Sequence, residues 1–294
     1  MDKLKVWFAD FWPEWKDEDF ITPILKRNFE IILDKKNPDV VFHSIFGNAN
    51  SSFKCKKILF IAENIRNNYN DNIRNNINIA LNEASATIGF DPPTLTNYRL
   101  PLWQVYILLK PELKDRLFER RRLENFERFC AFTVSNPSNF IRNGAYLQLS
   151  QYKPVYSYGR YLTNDLSLIN YSKEKYWRDA KDEFFLKHSH KFMLAYENTI
   201  FRYYCTEKLM DAFLAGSMPI YMGDPRVNED WNEKAFLNAK DLGDNFLDTI
   251  KRMDQDDEFF YSKYNEPIFT NEQKQKLENN LKSFEPWLID IIKK

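Results

Sequence analysis

A two-domain α/β fold is predicted by the length of the chain, its apolar content, and the alternation of apolar runs with amphipathic stretches. The 294 residues are long for one small domain and suit two domains of roughly 100–200 residues each. Hydrophobic residues make up 44% of the chain and aromatic residues 16%, which is enough for two cores and excludes wholesale disorder. Strands that alternate with helices form right-handed βαβ units, so each domain is predicted to be Rossmann-like with a parallel sheet.

Apolar runs and turn residues set the individual elements. Strands are predicted at residues 5–9, 30–33, 40–43, 57–62, 86–90, 129–134, 155–158, 192–196 and 218–222. Helices are predicted at residues 20–28, 138–152, 179–187 and 206–215, and beyond residue 271, where Pro286 is expected to break or kink the helix.

The domain junction is expected in the charged segment 110–128, which has almost no strand signal. We therefore divide the chain into a first domain, 1–120, and a second domain, 121–294, that carries the C-terminal helix. A return of this helix to the first domain is the alternative. Two such domains facing each other would form a cleft at the carboxyl ends of their strands, where α/β folds bind ligands.

The balanced charge, the lack of a targeting or membrane-spanning pattern and the few cysteines argue against nucleic-acid-binding, membrane and disulfide-rich proteins. Lys plus Arg equals Asp plus Glu at 42 each, so no global field attracts nucleic acid or an anionic membrane. The three arginines at 120–122 lie among glutamates and are predicted to form a solvated helix face. The chain opens directly into a predicted strand, and no apolar run approaches the ~18 residues of a membrane span. Three scattered cysteines match neither a disulfide framework nor a zinc pattern. A soluble, cytoplasmic protein is expected.

The most informative local pattern is strand, loop, helix, glycine, strand between residues 192 and 222. Thr206 is a plausible N-cap and Gly216 a plausible residue just past the helix end. The free N–H groups at such a helix start can hold a diphosphate, and Lys208 in the first turn would add a full charge. Glu207 could accept hydrogen bonds from ribose hydroxyls. The alternative is an ordinary βαβ unit with solvent-exposed Glu and Lys.

Two further residues follow predicted strands. Arg142 lies in the first turn of a predicted helix, after the strand at 129–134. It could grip phosphate oxygens with two parallel hydrogen bonds, or it could be structural. Glu63 comes directly after the strand at 57–62. A carboxylate at the carboxyl end of a strand is placed for general-base chemistry, although many such residues only solvate a strand end.

Metal and phosphate motifs are weak. The D-x-D matches at 17–19 and 254–256 lie in charged runs and are interpreted as solvated turns. His188 and His190 are two residues apart, and no carboxylate cluster completes a metal site with them. The chain has seven glycines and neither G-x-G-x-x-G nor a Walker loop, so dinucleotide and P-loop binding are not expected.

The segment 64–82 is unusually rich in Asn, with interleaved Ile. The Ile spacing permits a helix, although Asn disfavours one. A plain surface loop is one interpretation. A lid over a ligand site is the other, because the segment leaves from the end of a predicted strand.

Five blocks of sequence together resemble the α1,3/α1,4-fucosyltransferase family. In chain order they are IGFD at 88–91, YRLPLW at 98–103, FCAFTVSN at 129–136, YEN at 196–198 with Y-x-TEK at 204–208, and PIY-x-GDP at 219–225. The likeness spans about residues 57–250, and the 196–225 part is the most specific.

The resemblance implies a GT-B fold, with two Rossmann-like domains facing across a cleft. It also implies GDP-fucose as donor and inversion at the anomeric carbon without an essential metal or other cofactor. The acceptor it implies is an oligosaccharide, with the GlcNAc of a lactosamine-type unit and an α1,3 linkage favoured. Domain 1–120 becomes the acceptor side and domain 121–294 the donor side. By position, Glu63 matches the general base, and the donor contacts are Arg142, Glu197, Asn198, Tyr204, Glu207 and Lys208.

Three features depart from the family pattern. Ala62 stands where a Gly usually precedes the basic Glu, the spacing from Glu63 to Asp91 is longer than expected, and residues 201–203 replace a more Gly-rich loop. The last two bear on acceptor choice and loop mobility. Two alternatives stay open: a GT-B transferase that uses another nucleotide sugar, and a non-catalytic relative that binds a glycan or a nucleotide.

Overall fold

The computed structural model describes residues 1–67 and 69–294, except the side chain of Asp17. The chain divides into two compact units, Met1–Lys110 with Lys276–Lys294, and Pro111–Gln275. This division corrects two expectations, because the boundary lies at Lys110 rather than at 120 and residues 276–294 belong to the first unit rather than the second. The boundary falls at the N-terminal end of the strand-poor segment 110–128, so the composition of the segment indicated the region of the division but not its position. The return of the last helix to the first unit is the alternative that the sequence left open.

The first unit is built on one parallel sheet. Its strands are β1 (Lys3–Ala9), β2 (Glu30–Leu33), β3 (Val40–His43), β4 (Lys56–Ile61), β5 (Ala86–Gly89) and β6 (Asn97–Arg99), in the order β2-β1-β3-β4-β5-β6. Its first three helices are α1 (Ile21–Asn28), α2 (Asp71–Glu83) and α3 (Leu102–Leu109). The strands predicted at 30–33 and 40–43 are confirmed. The three-residue β6 was missed because it is too short to give a periodic pattern.

Most of the Asn-rich segment is the helix α2, which corrects the surface-loop interpretation. The Asn70 side chain caps it by accepting a hydrogen bond from the Ile73 N–H at 3.0 Å. Ile77 and Ala80 are buried against the sheet side of the unit. Burial of this apolar stripe compensates for the low helix propensity of Asn. Asn68, which belongs to the segment, lies outside the described residues.

The second unit holds another parallel sheet, in the order β11-β10-β9-β7-β8. Its strands are β7 (Arg128–Phe132), β8 (Val155–Ser157), β9 (His190–Tyr196), β10 (Met218–Met222) and β11 (Leu237–Asn238). Its helices are α4 (Glu112–Phe118), α5 (Phe140–Ser150), α6 (Ser167–Tyr171), α7 (Trp177–Lys187), α8 (Glu207–Leu214), α9 (Ala239–Leu242), α10 (Phe246–Gln255) and α11 (Asp257–Tyr264). The predicted strand, loop, helix, strand unit is therefore β9, α8 and β10. Gly216 lies just past the end of α8, as predicted, and adopts φ +76°.

We expected the three arginines at 120–122 to form a solvated helix face. This expectation is wrong, because the helix α4 ends at Phe118. Arg120 is 6% exposed, and it donates to the carbonyls of Ala235 at 3.2 Å and Glu266 at 3.0 Å. Its guanidinium also lies over the rings of Phe213 and Tyr264. Burial lowers the pKa of Arg120 to about 10, so it stays charged at neutral pH. Backbone carbonyls and aromatic faces replace water around this cation.

The last helix, α12 (Asn271–Lys293), runs through Pro286 without the predicted break. Phe284 and Leu288, on either side of the proline, are fully buried in the core of the first unit. At the helix end, Lys56 donates to the carbonyls of Ile291 at 2.7 Å and Ile292 at 3.0 Å, which suits a cation at a helix C-terminus. Tertiary packing thus outweighs the local cost of the proline. In the described part of the chain, no helix combines the length and the apolarity that a membrane span requires.

Replacing Leu288 by Ala should destabilise the first unit by about 2–5 kcal/mol, the usual cost of a cavity at a fully buried leucine. Thermal and denaturant unfolding would measure the loss. Lys282→Ala, on the exposed side of the same helix, is the matched control and should change stability by less than about 0.5 kcal/mol. Equal effects of the two substitutions would contradict the packing of α12 described above.

Candidate active site

Glu63 lies at the carboxyl edge of the first sheet, two residues beyond the end of β4, and is half-buried. The chain turns sharply after it, because Asn64 accepts a hydrogen bond from the Arg66 N–H through its side chain and another from the Asn67 N–H through its carbonyl. Tyr69 lies within electrostatic range, since burial and the charge of Glu63 both raise the pKa of Tyr69. The predicted base is therefore at a strand end, as the sequence indicated.

In the second unit, Glu197 follows β9 directly, and its side chain is 0% exposed. One carboxylate oxygen accepts the Thr206 N–H at 2.7 Å, and the other accepts the Thr206 hydroxyl at 2.6 Å. Thr206 is the N-cap of α8, as predicted, but its side chain makes no capping bond within the helix. Glu197 thus fixes the start of α8 from the neighbouring strand end.

Lys208 completes this cluster. Its Nζ lies 2.8 Å from the Thr206 hydroxyl, 3.3 Å from a Glu197 oxygen and 3.4 Å from a Glu207 oxygen. A cation at a helix N-terminus is locally unfavourable, which taken alone would indicate a bound anion. The structure supplies two anions of its own, so the position of Lys208 does not by itself require a ligand.

The pKa values of the two glutamates in the cluster are shifted in opposite directions. Burial raises the pKa of Glu197 above its usual value, although Lys208 and the Thr206 hydrogen bonds oppose this rise. Burial also acts on Glu207, but the charges of Lys208, Lys181 and Arg178 outweigh it and lower the pKa of Glu207 to about 2. The stability that Glu207 contributes is therefore present at pH values above 4.5, the ordinary pKa of a glutamate, and is lost as pH falls toward 2. The contribution of Glu197 depends on pH in the opposite direction. It is present at low pH and is lost as pH rises through the raised pKa of Glu197.

Arg142 lies in the first turn of α5 and is 1% exposed. Its guanidinium donates to the Asn198 side-chain oxygen at 2.9 Å and also to the carbonyl of Asn136. Its Nε is buried without a hydrogen-bond partner among the described residues. Asn139 caps α5 and donates to the Glu197 carbonyl at 2.8 Å, which joins α5 to the end of β9. The start of α5 and the residues after β9 thus form one hydrogen-bonded network.

Tyr204 is 1% exposed, and its side chain lies within electrostatic range of Arg142. The loop before it is held by Asp224, which accepts the Tyr203 N–H at 2.6 Å while Tyr203 adopts φ +65°. The six predicted donor-site residues of the second unit are therefore brought into one cluster, although Arg142, Glu197 and Tyr204 are buried rather than exposed.

Sequence reasoning missed two residues that hold the cluster together. Gly223 is one, because a Cβ there would lie 2.4 Å from the Glu197 Cγ and 2.6 Å from the Tyr221 hydroxyl. Asn139 is the other. Gly223 was visible in the PIY-x-GDP block, where a glycine directly after a strand indicates close approach of another group. Asn139 had no comparable signal, since Asn136 and Ser138 are equally good capping residues.

The D-x-D matches have structural roles. Asp19 caps the first turn of α1 through the N–H groups of Ile21 and Thr22, and Asp256 caps α11. We expected Asp254 to be a solvated turn residue. This expectation is wrong, because its side chain lies within α10, is 5% exposed and is paired with Lys153 and Lys191. The Asp17 side chain lies outside the described residues.

Histidines and other possible metal ligands are scattered. His190 is buried beside the Tyr158 hydroxyl at 2.8 Å, and burial lowers the pKa of His190 to about 4. Among the side chains that the structure describes, which exclude those of Asp17 and Asn68, no three from His, Cys, Asp or Glu gather into a group that could hold a metal ion. Metal independence remains a prediction.

Replacing Gly223 by Ala should destabilise the second unit by at least about 1–3 kcal/mol, because the buried Glu197 side chain has no room to move away. Gly144→Ala is the matched control. Nothing lies within 4 Å of a Cβ at Gly144, and this mid-helix position should gain about 0.5–1 kcal/mol. Thermal unfolding of both variants checks the pair, and a neutral Gly223→Ala would refute the close approach.

Two family models match the chain. The "Alpha-(1,3)-fucosyltransferase FucT N-terminal domain" matches residues 6–106, and the "Glycosyltransferase family 10 (fucosyltransferase)" C-terminal model matches residues 123–284. The second alone covers more than half of the chain.

Individual proteins agree with these models. The alpha-(1,3)-fucosyltransferase FucT of Helicobacter pylori is 27% identical over 84% of this chain and 56% of its own length. A putative fucosyltransferase of Acanthamoeba polyphaga mimivirus is 33% identical over 52% of this chain and 26% of its own length. The chain thus spans about half, or less, of these relatives.

A solved structure gives the fold. A crystal structure of an alpha1,3-fucosyltransferase with GDP-fucose has a TM-score of 0.69 at 23% identity, covering 100% of this chain and 92% of the other. At this identity the likeness establishes the fold alone, and it confirms the predicted GT-B class with two Rossmann-like α/β units. Together with the two family models, it leads to one conclusion: the chain belongs to glycosyltransferase family 10, the fucosyltransferases.

Proposed function

We propose that this protein transfers L-fucose from GDP-fucose to a hydroxyl of an acceptor glycan, with inversion at the anomeric carbon. The proposed linkage is α1,3, and the proposed acceptor is the GlcNAc of a lactosamine-type unit. Membership of the fucosyltransferase family supports the reaction class, and the names of relatives support the linkage. The observation that carries the proposal is the cluster at the start of α8, where a buried carboxylate holds Thr206 and Lys208 in place.

The diphosphate of the donor would bind at this helix start. The N–H groups of the first turn of α8 and the Lys208 ammonium, whose side chain is 20% exposed, offer positive charge to phosphate oxygens. Arg142 adds a second cation beside this helix start, and its buried Nε has no hydrogen-bond partner among the described residues. Glu207 is anionic at neutral pH, given its low pKa, and can accept hydrogen bonds from ribose hydroxyls. Asn198 and Tyr204 are assigned to the donor through their place beside Arg142.

Glu197 would act on the donor through Lys208. Its side chain is fully buried and already accepts three hydrogen bonds from Thr206 and Lys208. We therefore assign it as a positioning residue, which sets the direction of the Lys208 ammonium and of the first N–H groups of α8.

The chemistry is a single displacement. Glu63 takes the proton of the acceptor hydroxyl while the oxygen forms a bond to the anomeric carbon of fucose. The bond from that carbon to the β-phosphate oxygen breaks, and its electron pair leaves with GDP. Negative charge therefore grows on the β-phosphate in the transition state, where preorganised cations lower the barrier. Lys208 and Arg142 are proposed to supply the compensating positive charge without a metal ion.

The experiment that tests the proposal is transfer of labelled fucose from GDP-fucose to N-acetyllactosamine, in the presence and absence of EDTA. Labelled product in both reactions, with a 3-linked fucose by NMR, is the expected result. Binding of GDP-fucose without transfer or hydrolysis would indicate a non-catalytic relative. Loss of transfer in EDTA with recovery in manganese would refute the metal-free mechanism.

Replacing Lys208 by Ala should weaken GDP binding by more than about 1.4 kcal/mol, or tenfold, as expected for a charge-assisted contact. Isothermal titration calorimetry measures the change. Lys173→Ala removes an exposed lysine of the same unit and controls for net charge. If both variants bind GDP like the wild type, the diphosphate does not lie at α8.

Replacing Glu63 by Gln keeps the shape of the side chain but removes its ability to take a proton. We expect kcat to fall by at least ~10²-fold, the usual scale of general-base catalysis, with GDP affinity unchanged. The acidic limb of the pH–rate profile should disappear in the variant. A folded Glu63→Gln protein that retains kcat within about threefold of wild type would show that another group is the base.

A further inference from the structure

A second buried carboxylate, Asp224, joins two loops at the carboxyl edge of the second sheet. Asp224 lies two residues after β10 and is 3% exposed. Its Oδ1 accepts the Tyr203 N–H at 2.6 Å and the Arg226 N–H at 2.8 Å, and its own N–H donates to the Tyr221 hydroxyl at 2.9 Å. Because a carboxylate without solvent must be surrounded by donors, these bonds tie the loop between β9 and α8 to the end of β10.

The residue that Asp224 holds has an unfavourable backbone conformation. Tyr203 adopts φ +65°, in the left-handed region where the Cβ of an L residue lies too close to the following carbonyl. Such a conformation persists only where the surrounding structure fixes it. A hydrogen bond from the Tyr203 N–H to a carboxylate is charge-assisted and therefore strong. Asp224 thus stabilises the left-handed turn at Tyr203.

This turn directs the following residues into the second unit. The Tyr204 N–H donates to the Phe201 carbonyl at 3.2 Å, and the Cys205 N–H donates to the Tyr203 carbonyl at 3.0 Å. Tyr204 and Cys205 are both buried, and Tyr204 lies within electrostatic range of Arg142. The place of Tyr204 beside Arg142 therefore follows from the backbone conformation of the residue before it.

We propose that Asp224 is a positioning residue for the donor, because it fixes the turn at Tyr203 and thereby holds Tyr204 beside Arg142. In this role Asp224 acts through the loop and does not touch the donor. The inference rests on the proposed function, which assigns Tyr204 and Arg142 to GDP-fucose. If the turn relaxes, only the fraction of molecules that retain it can bind the donor, and the apparent affinity falls by that fraction.

Asp224→Ala tests this role by removing the acceptor of the Tyr203 N–H. We expect the Kd for GDP, measured by isothermal titration calorimetry, to rise at least about tenfold. The substitution is then repeated in two backgrounds that separate the backbone of residue 203 from its side chain. Tyr203→Gly removes the backbone cost, since glycine adopts positive φ freely. Tyr203→Ala is the matched control, because it removes the ring but keeps the cost.

The two backgrounds should respond differently to Asp224→Ala. The Kd for GDP should rise by less than about threefold in Tyr203→Gly, and by at least about tenfold in Tyr203→Ala. No loss of affinity in the wild-type background, or equal losses in the Gly and Ala backgrounds, would overturn the role of Asp224 and leave the donor site in place. A wild type that binds no GDP would instead refute the proposed donor site, and this inference with it.

Hydrogen exchange in the free protein gives a readout that needs no ligand. Asp224→Ala should speed amide exchange at residues 203–206, while the amides of β9 keep their protection. Asp224→Asn keeps the shape and a weaker, neutral acceptor, so it should give an intermediate rate, and it replaces the Ala variant if that variant does not fold. Faster exchange throughout the second unit, or loss of folding in both variants, would show that Asp224 supports the whole unit and would overturn the proposal.

Discussion

The buried carboxylate of Glu197 organises the start of α8 in the second unit. A carboxylate without solvent is costly unless hydrogen-bond donors surround it. Thr206 and Lys208 provide three donors, and Gly223 leaves the space that the side chain needs. The N–H of Thr206 can meet this carboxylate only if α8 begins where it does. The geometry of the helix start therefore follows from satisfying one buried group, and Lys208 and Glu207 take their places from it.

The same constraint separates the roles of the acidic residues. Glu197 and Glu207 both lie near Lys208, yet their pKa values are shifted in opposite directions by their surroundings. Glu207 has two additional cations, Arg178 and Lys181, which Asp211 holds at 2.9 Å and 2.7 Å. The carboxylate with the more cationic surroundings is the one that stays partly exposed. The surroundings of each carboxylate therefore set its charge state, which keeps Glu207 anionic at neutral pH.

Much of the fold could be predicted because buried parallel strands are apolar runs, as with β3 and β10. The proximity of Glu197, Glu207 and Lys208 could be predicted because β9, its loop and α8 are consecutive in sequence. Three features could not. Arg120 is buried by carbonyls that come from residues 235 and 266, and Pro286 is tolerated because its neighbours pack in the first unit. The burial of Arg142 likewise depends on Asn136 and Asn198 together. In each case the deciding contact lies far away in sequence or depends on three-dimensional packing.

The return of residues 276–294 to the first unit has a consequence for synthesis on the ribosome. Domains generally form as they emerge, with the N-terminal one first. Here the first unit begins with Met1 but lacks Phe284 and Leu288 from its core until after Gln275 has been made. The second unit is by then complete. The first unit must therefore keep an exposed apolar surface through the whole translation of Pro111–Gln275, and this surface is a natural target for chaperones that bind apolar segments.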